Sequence, residues 1–228
     1  MTVDDAIEAL SPQALKMVKN NFIIGLGSGR AATAIVKLLS TYIKKNKFSV
    51  KAVPTSLQIK MEAEKGGIPI IEADQINRID LVFDGADQID AKGNMIKGGG
   101  GALLREKILI SIAKKVVIIA DESKFVKKLS RSVPVEVYPF ARNIADIQIR
   151  KHGGKPHIRL LERGYPFVTE NGNIILDCDF GHISNPKELA TKIIEIPGVI
   201  EVGIFPKPDI IYKAKENGKY EILGLYRP

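Results

Sequence analysis

Short apolar runs alternate with segments of helical periodicity through most of this 228-residue chain, and that alternation admits few folds. Asn21–Leu26, Phe48–Val53, Asp80–Phe83 and Val116–Ala120 have the length and near-continuous apolarity of strands covered on both faces. Between them, Ala31–Lys44 carries Ile35, Leu38, Leu39 and Tyr42 at helical spacing. Leu57–Lys65 and Ala102–Ala113 read as further helices, with Gly66–Gly67 stopping the first of these. Residues 4–19 show the same period through Ile7, Leu10, Leu15 and Val18, interrupted at Pro12. This order predicts a parallel sheet with helices on both sides.

Near residue 130 the pattern changes. Val133–Tyr138 alternates, Arg142–Lys151 is helical, His157–Leu161 is a strand, and Asn171–Gly172 turns into the strand NIILDCDF. Pro186 opens a helix through Glu195, and Val199–Phe205 reads as one closing strand. Strand–helix–strand–strand–helix–strand is the order of a ferredoxin-like unit. The tail forms a hairpin around Asn217–Gly218 that is assigned back to the first domain. The expected fold is therefore α/β: a Rossmann-like parallel-sheet domain, 1–129 plus 206–228, with an inserted ferredoxin-like α+β domain at 130–205.

Composition narrows the functional classes. The net charge of +8 comes from 34 basic and 26 acidic residues that are interleaved along the chain. A nucleic-acid binder concentrates its charge, and 6% aromatic content leaves few stacking platforms, so no nucleic acid is expected as a partner. A positive field that draws in small anions is the more economical reading. Cys178 stands alone, which suits a reducing, cytoplasmic setting. The opening MTVDDAIEAL lacks the features of a secretory signal, and no apolar run is long enough to span a bilayer, so no membrane partner is expected.

Three loops carry the chemistry. Gly25-Leu26-Gly27-Ser28-Gly29-Arg30 leaves a strand and opens a helix, so its N–H groups can meet an anion at the positive helix end. It lacks the final glycine of the dinucleotide fingerprint, and the second strand ends in Val53-Pro54-Thr55-Ser56, without the acid that motif needs. A small phosphate site assisted by Ser28 and Arg30 is preferred to an unliganded turn. Asp84-Gly85-Ala86-Asp87-Gln88-Ile89-Asp90 lies at the carboxyl end of an apolar strand, the edge where open α/β sheets bind ligands. Its carboxylates suit hydroxyl proton transfer or holding a lysine; a Mg²⁺ site and a solvated turn are the alternatives, and His152, His157 and His182 fall in the second block. Lys97-Gly98-Gly99-Gly100-Gly101 precedes a helix containing Glu106. Four successive glycines lose considerable backbone entropy on folding, which an ordinary turn does not require. Together these parts suit proton abstraction next to a carbonyl of a phosphorylated polyol, with a carboxylate base and Lys97 or glycine N–H groups on the developing oxyanion. On the residues alone, Glu106 is equally a surface carboxylate beside a lysine.

GLGSGRAA, DGADQID, MIKGGGGALLREKIL and IADESK, in this order and spacing, resemble ribose-5-phosphate isomerase, type A. The resemblance continues through PVEVYPFAR, NGNIILD and IPGVIEVGIF, nearly the whole chain. It implies interconversion of D-ribose 5-phosphate and D-ribulose 5-phosphate through a cis-enediolate, in the non-oxidative pentose phosphate pathway, with no metal or other cofactor and a homodimeric or homotetrameric assembly. Residue by residue, it implies Glu106 as base, Asp84 for ring opening and hydroxyl proton transfer, Asp87 as its loop partner and Lys97 on the oxyanion. Ser28, Gly29, Arg30, Ala31, Gly85, Ala86, Gly98, Gly99, Gly100 and Lys124 would contact substrate. Ser28-Gly29-Arg30-Ala31 departs from the usual Thr-Gly-Ser-Thr, exchanging two hydroxyls for a guanidinium, and Gln88 stands for a glutamate. Sugar-phosphate sensors, acyl-CoA transferases and amino-sugar-phosphate deaminases share the fold and remain alternatives. Cys178 is expected to be a packing residue.

Overall fold

Six strands form one sheet in the order β13–β12–β6–β3–β1–β2 in the computed structural model, which describes residues 12–215, 217 and 219–224. They are β1 (Ile23–Leu26), β2 (Lys51–Pro54), β3 (Leu81–Asp84), β6 (Val116–Asp121), β12 (Ile210–Ala214) and β13 (Tyr220–Gly224). All neighbours run parallel except β13, which returns antiparallel along β12. Helix α1 (Gly29–Asn46) joins β1 to β2, and α2 (Leu57–Lys65) follows β2. In α1 the buried positions Ala32, Ile35, Val36, Leu39 and Ile43 recur every three or four residues, which gives the helix one apolar face. Lys47 closes it in the left-handed conformation, with Lys44 and Lys45 at the negative helix end. That face covers Ile24, Leu26, Leu81, Phe83, Val117 and Ile119 of the sheet. Each such side chain contributes roughly 1.5–3 kcal/mol by leaving water. Residues 12–15 are helical and bury Ala14 and Leu15; the rest of the helix expected from residue 4 to 11 lies outside the described residues.

Most of the remaining elements belong to a second unit. Strands β7 (Val133–Val137), β8 (Lys155–Ile158), β9 (Ile174–Asp179) and β10 (Val199–Val202) pair antiparallel in the order β10–β7–β9–β8. With α4 (Arg142–Lys151) and α5 (Pro186–Ile194) between them, this is the ferredoxin-like order. A small sheet of β4 (Gln88–Ile89), β5 (Met95–Ile96) and β11 (Ile204–Phe205) belongs with it, since Ile96 and Ile204 join the same apolar core as Val135 and Leu176. α3 (Leu103–Ser111) follows the glycine run. The chain thus divides into one compact unit drawn from 1–86, 105–124 and 208–228 and another from 87–104 and 125–207. Pairing of β5 with β11 draws 87–104 into the second unit, whereas the sequence expectation kept everything to residue 129 in the first.

Two expectations are corrected. Val133–Tyr138 was expected to alternate, yet all five positions of β7 are buried. Glu136 is fully buried because its Oε1 accepts from Thr169 Oγ1 at 2.9 Å, Asn171 Nδ2 at 3.0 Å and Asn173 Nδ2 at 2.9 Å. Three donors on one carboxylate oxygen offset part of the cost of taking the group from water, so the residue is carried inward. The run Val199–Phe205 is two strands in different sheets, broken at Gly203, whose N–H donates to the Pro134 carbonyl at 2.7 Å.

At the amino edge of the parallel sheet, Asp80 ties neighbouring elements together. Its Oδ2 accepts from the Ile23 N–H at 3.1 Å, and Lys114 Nζ reaches Oδ1 at 2.9 Å. Burial alone pushes this carboxyl up, but the Ile23 N–H, Lys114 and Arg78 together hold it below the ordinary range. A carboxyl lowered by folding stabilises fully above its unfolded value, and that contribution is lost as pH falls through the folded value. Asp80→Asn is therefore expected to destabilise the protein at neutral pH and to flatten the acid limb of a pH–stability curve measured by urea unfolding; an unchanged acid limb would contradict this role.

Candidate active site

The strand order of the parallel sheet reverses at β1, with β2 on one side and β3 on the other, and the carboxyl ends of these strands lie at the edge where open α/β sheets bind ligands. The Gly27 N–H donates to the Phe83 carbonyl at 2.8 Å, which draws the turn after β1 against the end of β3. A Cβ on Gly27 would lie 1.9 Å from Asp84 Oδ1, so only glycine lets that carboxylate occupy its place. Asp84 is buried, and its Oδ1 accepts from the Gly85 N–H at 2.7 Å. The carbonyl of Leu26 receives both the N–H and the Oγ1 of Thr55, each at 3.0 Å, which fixes the carboxyl end of β1. Thr55 had no role in the sequence reading; it takes the position where a dinucleotide fold would place its acid.

Ser28 occupies the N-cap of α1 in extended conformation, yet its side chain makes no capping bond. Its Oγ instead donates to Glu106 Oε1 at 2.5 Å. Glu106, in the first turn of α3, is only 3% exposed, so the reading of it as a surface carboxylate does not hold. Two buried carboxylates therefore meet this turn, Asp84 at Gly27 and Glu106 at Ser28. Gly29 has φ +82 with open space where a side chain would stand, and Arg30 is exposed in a helical first turn that contains no acid. Ala31 lies beneath Gly85, its Cβ 3.4 Å from where a Gly85 Cβ would be. Ala86 is half-buried, and Lys124 is half-buried in a short 3-10 turn after β6.

The second unit holds the other expected residues. Lys97 is 3% exposed at the end of β5, its N–H bonded to the Gly203 carbonyl at 3.0 Å and its Nζ 5.4 Å from the Phe205 ring centroid. An ammonium over an aromatic face keeps its charge with less water around it. Asp87 Oδ2 accepts from the Gly99 N–H at 2.8 Å, while Gly101 donates to the Gly98 carbonyl at 3.0 Å to close the turn. Gly101 has φ +82, and a Cβ there would meet Phe167 Cζ at 2.4 Å. Gly99 and Gly100 remain exposed at the tip. A cavity of about 490 Å³ opens beside this turn, lined by Asp87, Gly99, Arg131, Ser132, Arg159 and Asp177. Arg159, just after β8, and Asp177, within β9, carry no signal in the sequence, because each is a lone charged residue in or beside a strand.

Several alternatives lose support. Asp90 accepts from Lys92 N at 2.8 Å and from Asn94 N and Nδ2 at 2.9 and 2.8 Å, so both its oxygens are engaged within its own turn. Among the described residues, no group of three or more His, Cys, Asp and Glu is arranged to hold a metal ion. His152, His157 and His182 are exposed in the second unit. Gln88 Oε1 accepts the N–H groups of Ser130 and Arg131 at 2.7 and 2.9 Å, an acceptor role that a glutamate would fill equally. Cys178 is fully buried, and burial followed by Asp177 and Asp146 pushes its thiol up, so it packs and is not a nucleophile.

The family model of ribose 5-phosphate isomerase A (phosphoriboisomerase A) matches residues 51–218. The chain belongs to this family. A ribose-5-phosphate isomerase A of Methanosarcina acetivorans is 40% identical over 211 residues, covering 92% of this chain and 90% of its own. The solved ribose 5-phosphate isomerase A of Methanocaldococcus jannaschii superposes with a TM-score of 0.93 at 36% identity, covering 98% of this chain and all of that one. A D-ribose-5-phosphate isomerase in complex with phospho-erythronic acid superposes with a TM-score of 0.94 at 35% identity, covering 99% and 100% of the two chains. The α/β fold with a separate antiparallel unit is thus the fold of this isomerase family. Among the described residues, no helix is long and apolar enough to cross a membrane.

The Gly27 contact generates a prediction. Gly27→Ala is expected to leave the circular-dichroism spectrum of the family fold intact while lowering ribose 5-phosphate turnover about 100-fold, the scale of a 1 Å misplacement. Undiminished turnover would mean that the position of Asp84 is immaterial.

Proposed function

We propose that this chain interconverts D-ribose 5-phosphate and D-ribulose 5-phosphate by proton transfer between carbons 1 and 2. Membership of the isomerase family supports the reaction, and the observation that carries the residue assignment is the buried Glu106, oriented by the Ser28 hydroxyl. In this reading Glu106 removes the carbon-2 proton of the open-chain aldose. The electron pair forms the carbon–carbon double bond of a cis-enediolate while the carbonyl oxygen gains negative charge. Glu106 then returns the proton to carbon 1. Asp84 assists ring opening and moves the hydroxyl proton between the two oxygens, with Asp87 beside it in the chain. Lys97 and the glycine N–H groups of the Gly98–Gly100 segment other than that of Gly99, which Asp87 holds, stabilise the oxyanion, the charge that develops in the transition state.

The phosphate is assigned to the Ser28–Ala31 turn, with Arg30 and Lys124 supplying positive charge. An α1 N-terminus without an acidic residue, and with exposed Arg30 in its first turn, supports that placement. Gly85 and Ala86 line the same substrate. No metal or other cofactor takes part. The reading extends to a cytoplasmic enzyme of the non-oxidative pentose phosphate pathway, in keeping with a phosphorylated substrate and a single, buried cysteine. Self-association as a homodimer or homotetramer is supported by exposed Tyr220, Ile222 and Leu223 on the edge strand β13.

The deciding experiment follows carbon-2 proton loss from ribose 5-phosphate by NMR in D₂O containing a chelator. The wild-type chain is expected to form ribulose 5-phosphate, and Glu106→Gln is expected to bind substrate but turn it over at least about 100-fold more slowly. Wild-type-like turnover in that variant would remove Glu106 as the base, and saturable binding without any turnover by the wild type would indicate a sensor. Separately, Arg30→Ala is expected to weaken binding of ribose 5-phosphate and leave binding of free ribose unchanged; equal losses for both would exclude Arg30 from phosphate binding.

A further inference from the structure

Arg159 uses its guanidinium on two sides. Nε and Nη2 donate to Asp177 Oδ2 and Oδ1 at 2.9 and 2.5 Å, the bidentate fork that fixes the plane of the group. Nη1 donates to the carbonyls of Gly98 and Gly99 at 2.9 and 3.0 Å. The group also lies 5.8 Å from the Phe167 ring, the same ring that fills the space beside Gly101. Its side chain is 15% exposed.

These bonds have a geometric consequence. In a trans peptide the N–H points opposite to the C=O of the same plane. The Gly98 carbonyl shares its plane with the Gly99 N–H, and the Gly99 carbonyl with the Gly100 N–H. Both carbonyls converge on one nitrogen of Arg159, so both N–H groups are directed away from it. The Gly99 N–H does meet Asp87 Oδ2, at 2.8 Å. Without this anchor, a run of four glycines would sample many plane orientations, since glycine restricts its dihedral angles least.

We infer that Arg159 is a positioning residue that, braced by Asp177, fixes the Gly98–Gly99 and Gly99–Gly100 peptide planes, so that the Gly99 N–H is held on Asp87 and the Gly100 N–H is preorganised for the oxyanion of the isomerisation. The inference rests on the reading that a glycine N–H of this run serves the oxyanion. Preorganised donors act where charge develops, so their loss lowers turnover more than substrate affinity. Lysine cannot replace the fork, because it lacks the planar set of donors that reaches a carboxylate and two carbonyls at once.

The test combines kinetics with amide hydrogen exchange on the full chain. Arg159→Lys and Arg159→Ala are expected to lower kcat about 10–100-fold with KM changed by less than about threefold. Exchange at Gly98–Gly101 should accelerate while the β7 and β9 amides keep their protection. Methylguanidinium should restore part of the lost kcat in Arg159→Ala and none in Glu106→Gln. Asp177→Asn, which preserves shape and weakens the brace, should give a smaller loss of the same kind. Wild-type kcat in both Arg159 variants, or unchanged loop exchange, overturns the inference. So does a loss accompanied by faster exchange throughout β7 and β9 without guanidinium rescue, which marks general destabilisation. If the wild type fails to isomerise ribose 5-phosphate, the functional reading falls, and with it the purpose assigned to Arg159; if only Glu106→Gln stays active, the base assignment falls and the Arg159 result stands.

Discussion

The carboxylate of Asp84 rests against the α-carbon of Gly27, and that contact depends on two strands that end side by side. β1 and β3 are parallel neighbours, so their carboxyl ends emerge at one edge and the chain leaves them in different directions. A side chain at residue 27 would push the acid out of its buried place. With glycine there, the next residue turns its hydroxyl toward a second buried carboxylate, and α1 begins in the same step. The start of the helix and the placement of both acids thus meet at one close approach, which the parallel register of β1 and β3 makes possible.

The second unit solves a different problem. A glycine run provides N–H groups without side chains, but it brings no rigidity of its own. The fold supplies the rigidity from outside the run. Asp87 takes one N–H, Arg159 takes two carbonyls, and Phe167 occupies the space beside Gly101. The strands that bring these groups are held by a polar cluster around Glu136, where three side-chain donors from the Thr169–Asn173 turn meet one carboxylate oxygen. The ferredoxin-like segment is therefore part of the machinery that shapes the glycine run.

Much of this was legible in the residues. The apolar runs marked the parallel strands, because strands covered on both faces leave no polar alternation to misread. Arg142–Lys151 and Leu57–Lys65 were delimited as observed, the second by its glycines. β7 was misread because Pro134 and Glu136 look like outward positions; their burial depends on partners more than thirty residues away for Glu136 and on neighbouring backbone for Pro134. The break at Gly203 was invisible for a similar reason: a strand changes sheets there because the Lys97 carbonyl and Pro134 crowd that point from elsewhere in the chain.

The residues of the candidate site divide along the same line. Local sequence was enough to single out the glycine turn, the acidic loop and the KGGGG run, since each is a contiguous departure from ordinary composition whose backbone consequences are local. Its resemblance to one isomerase family was carried by the same contiguous motifs. Tertiary structure decided what no contiguous stretch contains: that Glu106 is buried, that Ser28 spends its hydroxyl on that acid and not on the helix cap, and that Arg159 reaches back to residues 98 and 99. Burial and long-range hydrogen bonds arise only when distant segments share a neighbourhood, and single residues such as Thr55, Arg159 and Asp177 carry no mark of that neighbourhood in the chain.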